Sequence, residues 1–250
     1  MSPTYAASLV TLGILPSLVW LSFYLKKDCH PEPKYLLTKA FLMGIIISPL
    51  AILLQLGFSE GVGYFFDRAS DPLQQGTPAF FLWSSFVEEF LKFFAVYLIV
   101  VRSPEFDEPV DGMIYMISAA LGFAAIENVL VMFNLISDGA GTALNTLALR
   151  FVGATLLHAL ASGLTGYFLA MSWFFQEHKK KLIIFGLIMA TLFHAAFNML
   201  IASAQESANP VIGLVYTTFM LIILAFLVSI LFDKIKEWHI HSINSLMSKV

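Results

Sequence analysis

Long apolar runs alternate with short polar segments along the whole chain. A hydrocarbon core takes about 20 helical residues to cross. Seven segments reach that length, at approximately 4–25, 36–57, 78–101, 110–136, 144–175, 182–204 and 211–232. The pattern predicts an all-α fold, a polytopic transmembrane helical bundle of about seven spans, forming a single membrane-embedded domain over residues 1–250. The 58–77 connection contains "GVGYFF" and "DRASDPLQQG". It reads either as an ordinary surface loop or as one holding a short interfacial or re-entrant piece. Residues 233–250 are mildly amphipathic and are expected to lie along the cytoplasmic surface as a tail. Within that tail, His239 and His241 read as a solvated pair rather than a metal site.

Composition agrees. The chain is 58% hydrophobic and only 12% charged, with 24 Phe, where soluble domains carry roughly a quarter charged residues. The lipid bilayer is therefore the expected surrounding partner. A net charge of −3 argues against nucleic acid. The lone Cys29 allows no intrachain disulfide. Lys26 and Lys27 follow the first apolar run directly, so that run reads as a retained span rather than a cleaved signal.

Lys and Arg in the loops set an orientation. The segments 26–39, 102–109, 176–181 and the tail hold Lys26, Lys27, Lys34, Lys39, Arg102, Lys179, Lys180, Lys181, Lys234, Lys236 and Lys249. The opposite set holds only Arg68, eleven against one. The N-terminus is expected outside and the C-terminus in the cytoplasm.

A few polar residues interrupt the apolar runs. Charge at mid-bilayer costs several kcal/mol, on contested estimates, and persists where it faces a partner or a water-filled cavity. In the third span, Glu88 and Lys92 stand four apart and share a helix face, while Glu89 needs a different partner. One Glu and one Lys would make a structural pair; the second Glu exceeds that need. The fourth span carries Glu127 and Asn128, and Arg150 of the next span is a possible partner for Glu127. His158 stands in the fifth span among Ala154, Ala159, Ser162, Gly163 and Gly166. In the sixth, His194 and Asn198 share a face. Alone, either His would most often be a hydrogen-bonded packing residue. At 1.5 Å per residue, however, these groups lie roughly 13–20 Å below the outer surface, in one layer. They are expected to face a common polar cavity.

The inventory lacks a Ser–His–Asp set and a pair of facing Asp, which leaves water activation. Two routes are open. In one, Glu127, His158 and His194 bind a divalent metal, zinc being the natural choice for two His and a carboxylate. Glu88 or Glu89 is then the general base and the metal polarises the carbonyl. In the other, metal-free route a Glu and a His activate water, and His194 and Asn198 donate to the oxyanion. Outside hydrolysis, the same residues suit a proton- or ion-coupled transporter or channel, although the inverted repeats common in transporters are not evident. A scaffold without catalysis is a third class.

"EEFLK" resembles the EExxK motif of the PrsW family of intramembrane proteases. The likeness continues through "EPVDGMIYMISAALGFAAIENV", with its FxxxE, through His158 and then "HAAFN". It covers about 80–200, making 78–204 the expected protease core. Carried over by motif, the resemblance implies that Glu88, Glu89, Lys92, Glu127, His158, His194 and Asn198 form the catalytic site. It implies a peptidase in the cell membrane of a prokaryote. It also implies a single-span membrane protein as substrate, cut near its extracytoplasmic side, as in the first cleavage of an anti-sigma factor. The family is grouped with metallopeptidases, whereas its CAAX prenyl protease relatives are described as glutamate-dependent. Those relatives have His where this chain has Glu127, and Arg rather than Lys after the paired Glu. CAAX-type endopeptidase activity is therefore the weaker reading.

Overall fold

The computed structural model describes residues 3–28, 30–66, 71–207 and 209–247, residues 210 and 242–247 by their backbone alone. Cys29, Arg68 and Lys249 lie outside the described residues. Every regular element among those described is helical: α1 Pro3–Leu25, α2 Lys34–Gly63, α3 Pro78–Ile99, α4 Asp111–Leu135, α5 Ala140–Val152, α6 Ala154–Phe174, α7 Lys179–Glu206 and α8 Pro210–Met247. Single 3₁₀ turns precede α5 and α7.

Among the described residues, six helical segments are long and apolar enough to cross a membrane. The seventh expected span, α3, has 22 residues but carries three charges. Its two faces explain how it sits. Leu82, Phe86, Phe90, Phe94 and Leu98 recur every fourth residue and are exposed, with Phe90 stacked on both Phe86 and Phe94. Ser84, Ser85, Glu88, Glu89 and Lys92 are buried on the other side. The helix therefore turns an aromatic ridge to lipid and its charges inward. Its start is set by Thr77, whose hydroxyl accepts the Phe80 N–H, and by Pro78 in the first turn.

Helix α4 is the axis of the bundle. Every residue from Pro109 to Ala125 is buried, and the helix packs on α1, α2 and α6, with smaller contacts to α3 and α5. A helix apolar on all sides belongs at such a centre. Close approach requires small residues. A Cβ on Gly122 would fall 1.9 Å from the Phe41 carbonyl oxygen of α2. One on Gly166 would fall 2.5 Å from the Gly112 carbonyl oxygen.

Two boundaries depart from the expected pattern. The 144–175 span is two helices broken at Gly153, whose φ −101° and ψ −97° leave the helical region. The Phe151 carbonyl at the break accepts the Trp20 indole N–H at 2.8 Å, which matters where no water can reach. Helix α8 runs through residue 232 without a break. At 38 residues it is about 57 Å long, so residues 233–247 continue the helix of the last span instead of forming a separate one. Helix α2 likewise absorbs the first residues of the 58–77 connection, of which 67–70 lie outside the described residues.

Near the start of α4 a second polar group ties the α1–α2 connection down. Tyr115 donates to Glu32. Asp111 accepts the N–H groups of Asp107 and Glu108 at 3.1 and 2.8 Å, and His30 pairs with Glu108 at 2.7 Å. Burial pushes the Glu32 carboxyl above its ordinary range, partly offset by hydrogen bonds from Asp111 and Tyr115.

Candidate active site in the helical bundle

The site is assembled from α3, α4, α6 and α7, with one residue each from α2 and α5. Lys92 is wholly buried, and its ammonium holds the centre. It donates to Glu89 Oε1 at 2.8 Å and to His158 Nδ1 at 2.8 Å, and lies 4.5 Å from the centre of the Phe123 ring. Glu88 Oε2 is farther, at 3.7 Å. The expected i, i+4 pairing of Glu88 with Lys92 is thus the looser of the two, because the α3 turn presents Glu89 to the ammonium more closely.

The bonds assign the ring protons. An ammonium only donates, so His158 Nδ1 accepts, and its Nε2–H donates to Glu127 Oε2 at 2.9 Å. Glu89 Oε1 accepts His194 Nδ1–H at 2.9 Å, and Glu89 Oε2 accepts the Ser162 hydroxyl at 2.7 Å. Each imidazole is thereby oriented by its own carboxylate. The rings stand perpendicular with centres 4.9 Å apart.

Glu88 is placed differently from Glu89. Its Oε1 accepts the Gln55 amide at 3.1 Å. Its Oε2 is buried without a hydrogen-bond partner, 3.5 Å from His194 Nε2 and 4.0 Å from His158 Nδ1. Glu88, His158 and His194 each bring one donor atom within 4.8 Å of the others. Two imidazole nitrogens and a carboxylate oxygen are a donor set that suits a divalent cation, which at His158 Nδ1 would have to take the place of the Lys92 ammonium. Glu127 is not in that group. Its Oε2 already accepts His158 and the Arg150 guanidinium, the latter at 3.1 Å. The set built by the helices therefore differs by one carboxylate from the expected Glu127, His158 and His194.

A cavity of about 370 Å³ opens onto this cluster, lined by Glu88, Glu127, Arg150, His158, His194 and Asn198 among others. Glu89 and Lys92 stand behind it. All seven residues singled out in the sequence thus meet at or beside one cavity. Asn128 orders the wall by accepting Arg150 Nε–H at 2.7 Å and donating to Thr155 at 2.9 Å. Gln55 is not among the residues marked by charge, and its signal in the sequence is a lone amide within the apolar run "AILLQLGF". Ser162 and Thr155 gave none, since small hydroxyls are common in membrane helices.

The sequence profile described as "PrsW family intramembrane metalloprotease" matches residues 32–228. The chain belongs to the PrsW family of intramembrane metalloproteases. Among its relatives, Protease PrsW of Halalkalibacterium halodurans is 32% identical over 196 residues, 78% of this chain and 83% of that one. Protease PrsW of Geobacillus kaustophilus is 30% identical over 201 residues, covering 80% and 82%. That of Bacillus subtilis is 30% identical over 207 residues, covering 80% and 85%. No solved structure matches. Family and setting make the chain a peptidase of a prokaryotic membrane, rather than a transporter or a scaffold, and its site can be read in those terms.

Proposed function

We propose that the chain hydrolyses a peptide bond of a single-span membrane protein, using water held at Glu88 between His158 and His194. The orphaned Glu88 Oε2 carries this reading. It is a buried acceptor with no protein donor, aimed into a polar cavity. Such an atom costs about 1–3 kcal/mol unless something outside the fold satisfies it. A water there gives its proton to a carboxylate as its oxygen attacks the scissile carbonyl carbon. The carbon–nitrogen bond then breaks as the proton passes to the leaving amine. The Asn198 amide supports the oxyanion from the same wall. Glu89 and Glu127 hold the two imidazoles in their tautomers, and Lys92 neutralises Glu89.

The family is a metalloprotease family, and Glu88, His158 and His194 are the residues that would hold the ion. Zinc suits this set, and when bound it would polarise the carbonyl and acidify water. The carboxylate–imidazole pairs Glu127–His158 and Glu89–His194 are the usual outer support of such a site.

The loop charges support an outside N-terminus. That places the start of α3 and the α7–α8 turn on the extracytoplasmic side and favours a cut there, as in the first cleavage of an anti-sigma factor. The test is reconstitution in liposomes with single-span proteins of the source membrane. Wild type should cleave, on the extracytoplasmic side, and Glu88→Gln should not. Zinc content separates the two ligand sets: Glu88→Gln should lose bound zinc, while Glu127→Gln should keep it with affinity 10–100-fold weaker. Full cleavage by Glu88→Gln would sink the proposal.

A further inference from the structure

Beside the polar cavity lies a larger space of about 770 Å³, walled by α5, α6, α7 and α8. Helix α5 packs on α4 and α6, and α8 packs on α6 and α7, but among the described residues α5 and α8 form no packed interface with each other. Helix α8 is held along its inner face, where Leu221 and Leu224 are buried. Gly213 crosses Ala204 of α7, and Val228 lies against Gly163 of α6. Between those points Leu214, Leu221 and Ile222 face Leu149 and Val152 of α5 across a gap, with Ile201 at its back. Leu149, Val152, Leu214 and Ile222 are exposed. In a bilayer such a gap opens sideways into lipid.

Its inner wall identifies the occupant. Val131, Arg150, Ala154 and Asn198 line both the groove and the polar cavity. Helix α5 has only 13 residues and stops at Gly153, at the junction of the two spaces. A chain lying in the groove therefore meets Arg150 and Asn198 before it meets Glu88. An apolar helix has its own backbone bonds closed and cannot present a peptide carbonyl to water until it unwinds. Unwinding within a membrane frees carbonyls that need donors, and Arg150 and Asn198 supply N–H groups at that place. A lipid tail would match the apolar walls but has no use for those donors.

We propose that the groove between α5 and α8 seats the apolar transmembrane helix of the substrate and passes its unwound end to the polar cavity beside Arg150 and Asn198. This rests on the peptidase reading of the cavity.

Docking can be read without cleavage. Cys29 is the only cysteine, so Cys29→Ser gives a clean background for single cysteines at Thr218, which lines the groove, and at Tyr216, which is 60% exposed on the lipid side at similar depth. The full chain is reconstituted in phosphatidylcholine liposomes with a Leu/Ala single-span peptide of about 20 apolar residues, carrying one central cysteine, and treated with a short bismaleimide. The Thr218→Cys protein should cross-link at least tenfold faster than the Tyr216→Cys protein, with or without Glu88→Gln. Adding Ile222→Trp, in protein that keeps its melting temperature, should remove that excess. Equal cross-linking at the two positions would overturn the proposal. So would an excess lost to added phospholipid rather than to unlabelled peptide. Preferential cross-linking with no hydrolysis of any substrate would keep the groove and remove the peptidase mechanism.

Discussion

Two adjacent glutamates have separate tasks because they point into different surroundings. Glu89 accepts Lys92, His194 and Ser162 and has no spare lone pair facing the cavity. Glu88 has one. Glu88→Gln is expected to keep the melting temperature in detergent and to lose roughly 10²–10⁴-fold in turnover, the usual scale of general acid–base catalysis. Glu89→Gln leaves a buried ammonium without its near counter-charge, which costs about 3–5 kcal/mol. Its expected signature is a lowered melting temperature together with lost activity. A Glu89→Gln protein as stable as wild type would contradict this division. Lys92 makes a further test. Its ammonium occupies His158 Nδ1, the nitrogen a cation would take, so Lys92→Met should bind zinc about tenfold tighter or more. Removing a like charge a few ångströms away is worth at least that much. Competition with a chromophoric chelator measures it, and weaker binding would show that Lys92 supports the ion instead.

At the scale of the element, the break at Gly153 does what no continuous helix could. It ends α5 where Arg150 reaches Glu127 and starts α6 one turn before His158. A Cβ at Gly153 would sit 2.7 Å from the Leu149 carbonyl oxygen. Gly153→Ala should therefore shift α5 against α6 and pull Arg150 away. Turnover is expected to fall at least tenfold, whereas Leu144→Ala, on the exposed face of α5 and away from both cavities, should leave it nearly unchanged. Comparable effects of the two substitutions would show that the break carries no special role.

The bundle as a whole has a pH-sensitive seam away from the site, where Glu32 lies beside Asp111 and Tyr115, with Asp28 and Asp107 nearby. Burial raises the Glu32 carboxyl in the folded protein. The folded state then binds the proton more tightly than the unfolded one. The stability this group contributes is fully present below the unfolded value of about 4.3 and is lost as pH rises through the folded value. Melting temperature in detergent should fall as pH rises above that unfolded value, and Glu32→Gln, which still accepts the Tyr115 hydroxyl, should flatten that fall. An unaltered slope in the variant would assign the dependence to other groups.

How much of this was legible in the chain itself follows from what helical periodicity can carry. Runs of about 20 apolar residues determined where the long helices lie, though not the break that divides one run into α5 and α6. The cost of charge in lipid determined that Glu88, Glu89, Lys92, Glu127, His158 and His194 had to meet in one polar layer. Those are local facts, fixed by spacing along one helix and by the solvent around it. Partner choice was not local. Lys92 and His158 are 66 residues apart and His194 and Glu89 are 105 apart. Their pairing depends on how α3, α6 and α7 are rotated and tilted about α4. That rotation set Glu88 near one nitrogen of each imidazole and Glu127 against the other nitrogen of His158, and gave the nearer ammonium contact to Glu89. It also brought in Gln55 from a helix whose face no charge had marked. The break at Gly153 belongs to the same class. A glycine permits it, but the Trp20 indole from α1 is what satisfies the Phe151 carbonyl there, and only the packed bundle supplies that donor.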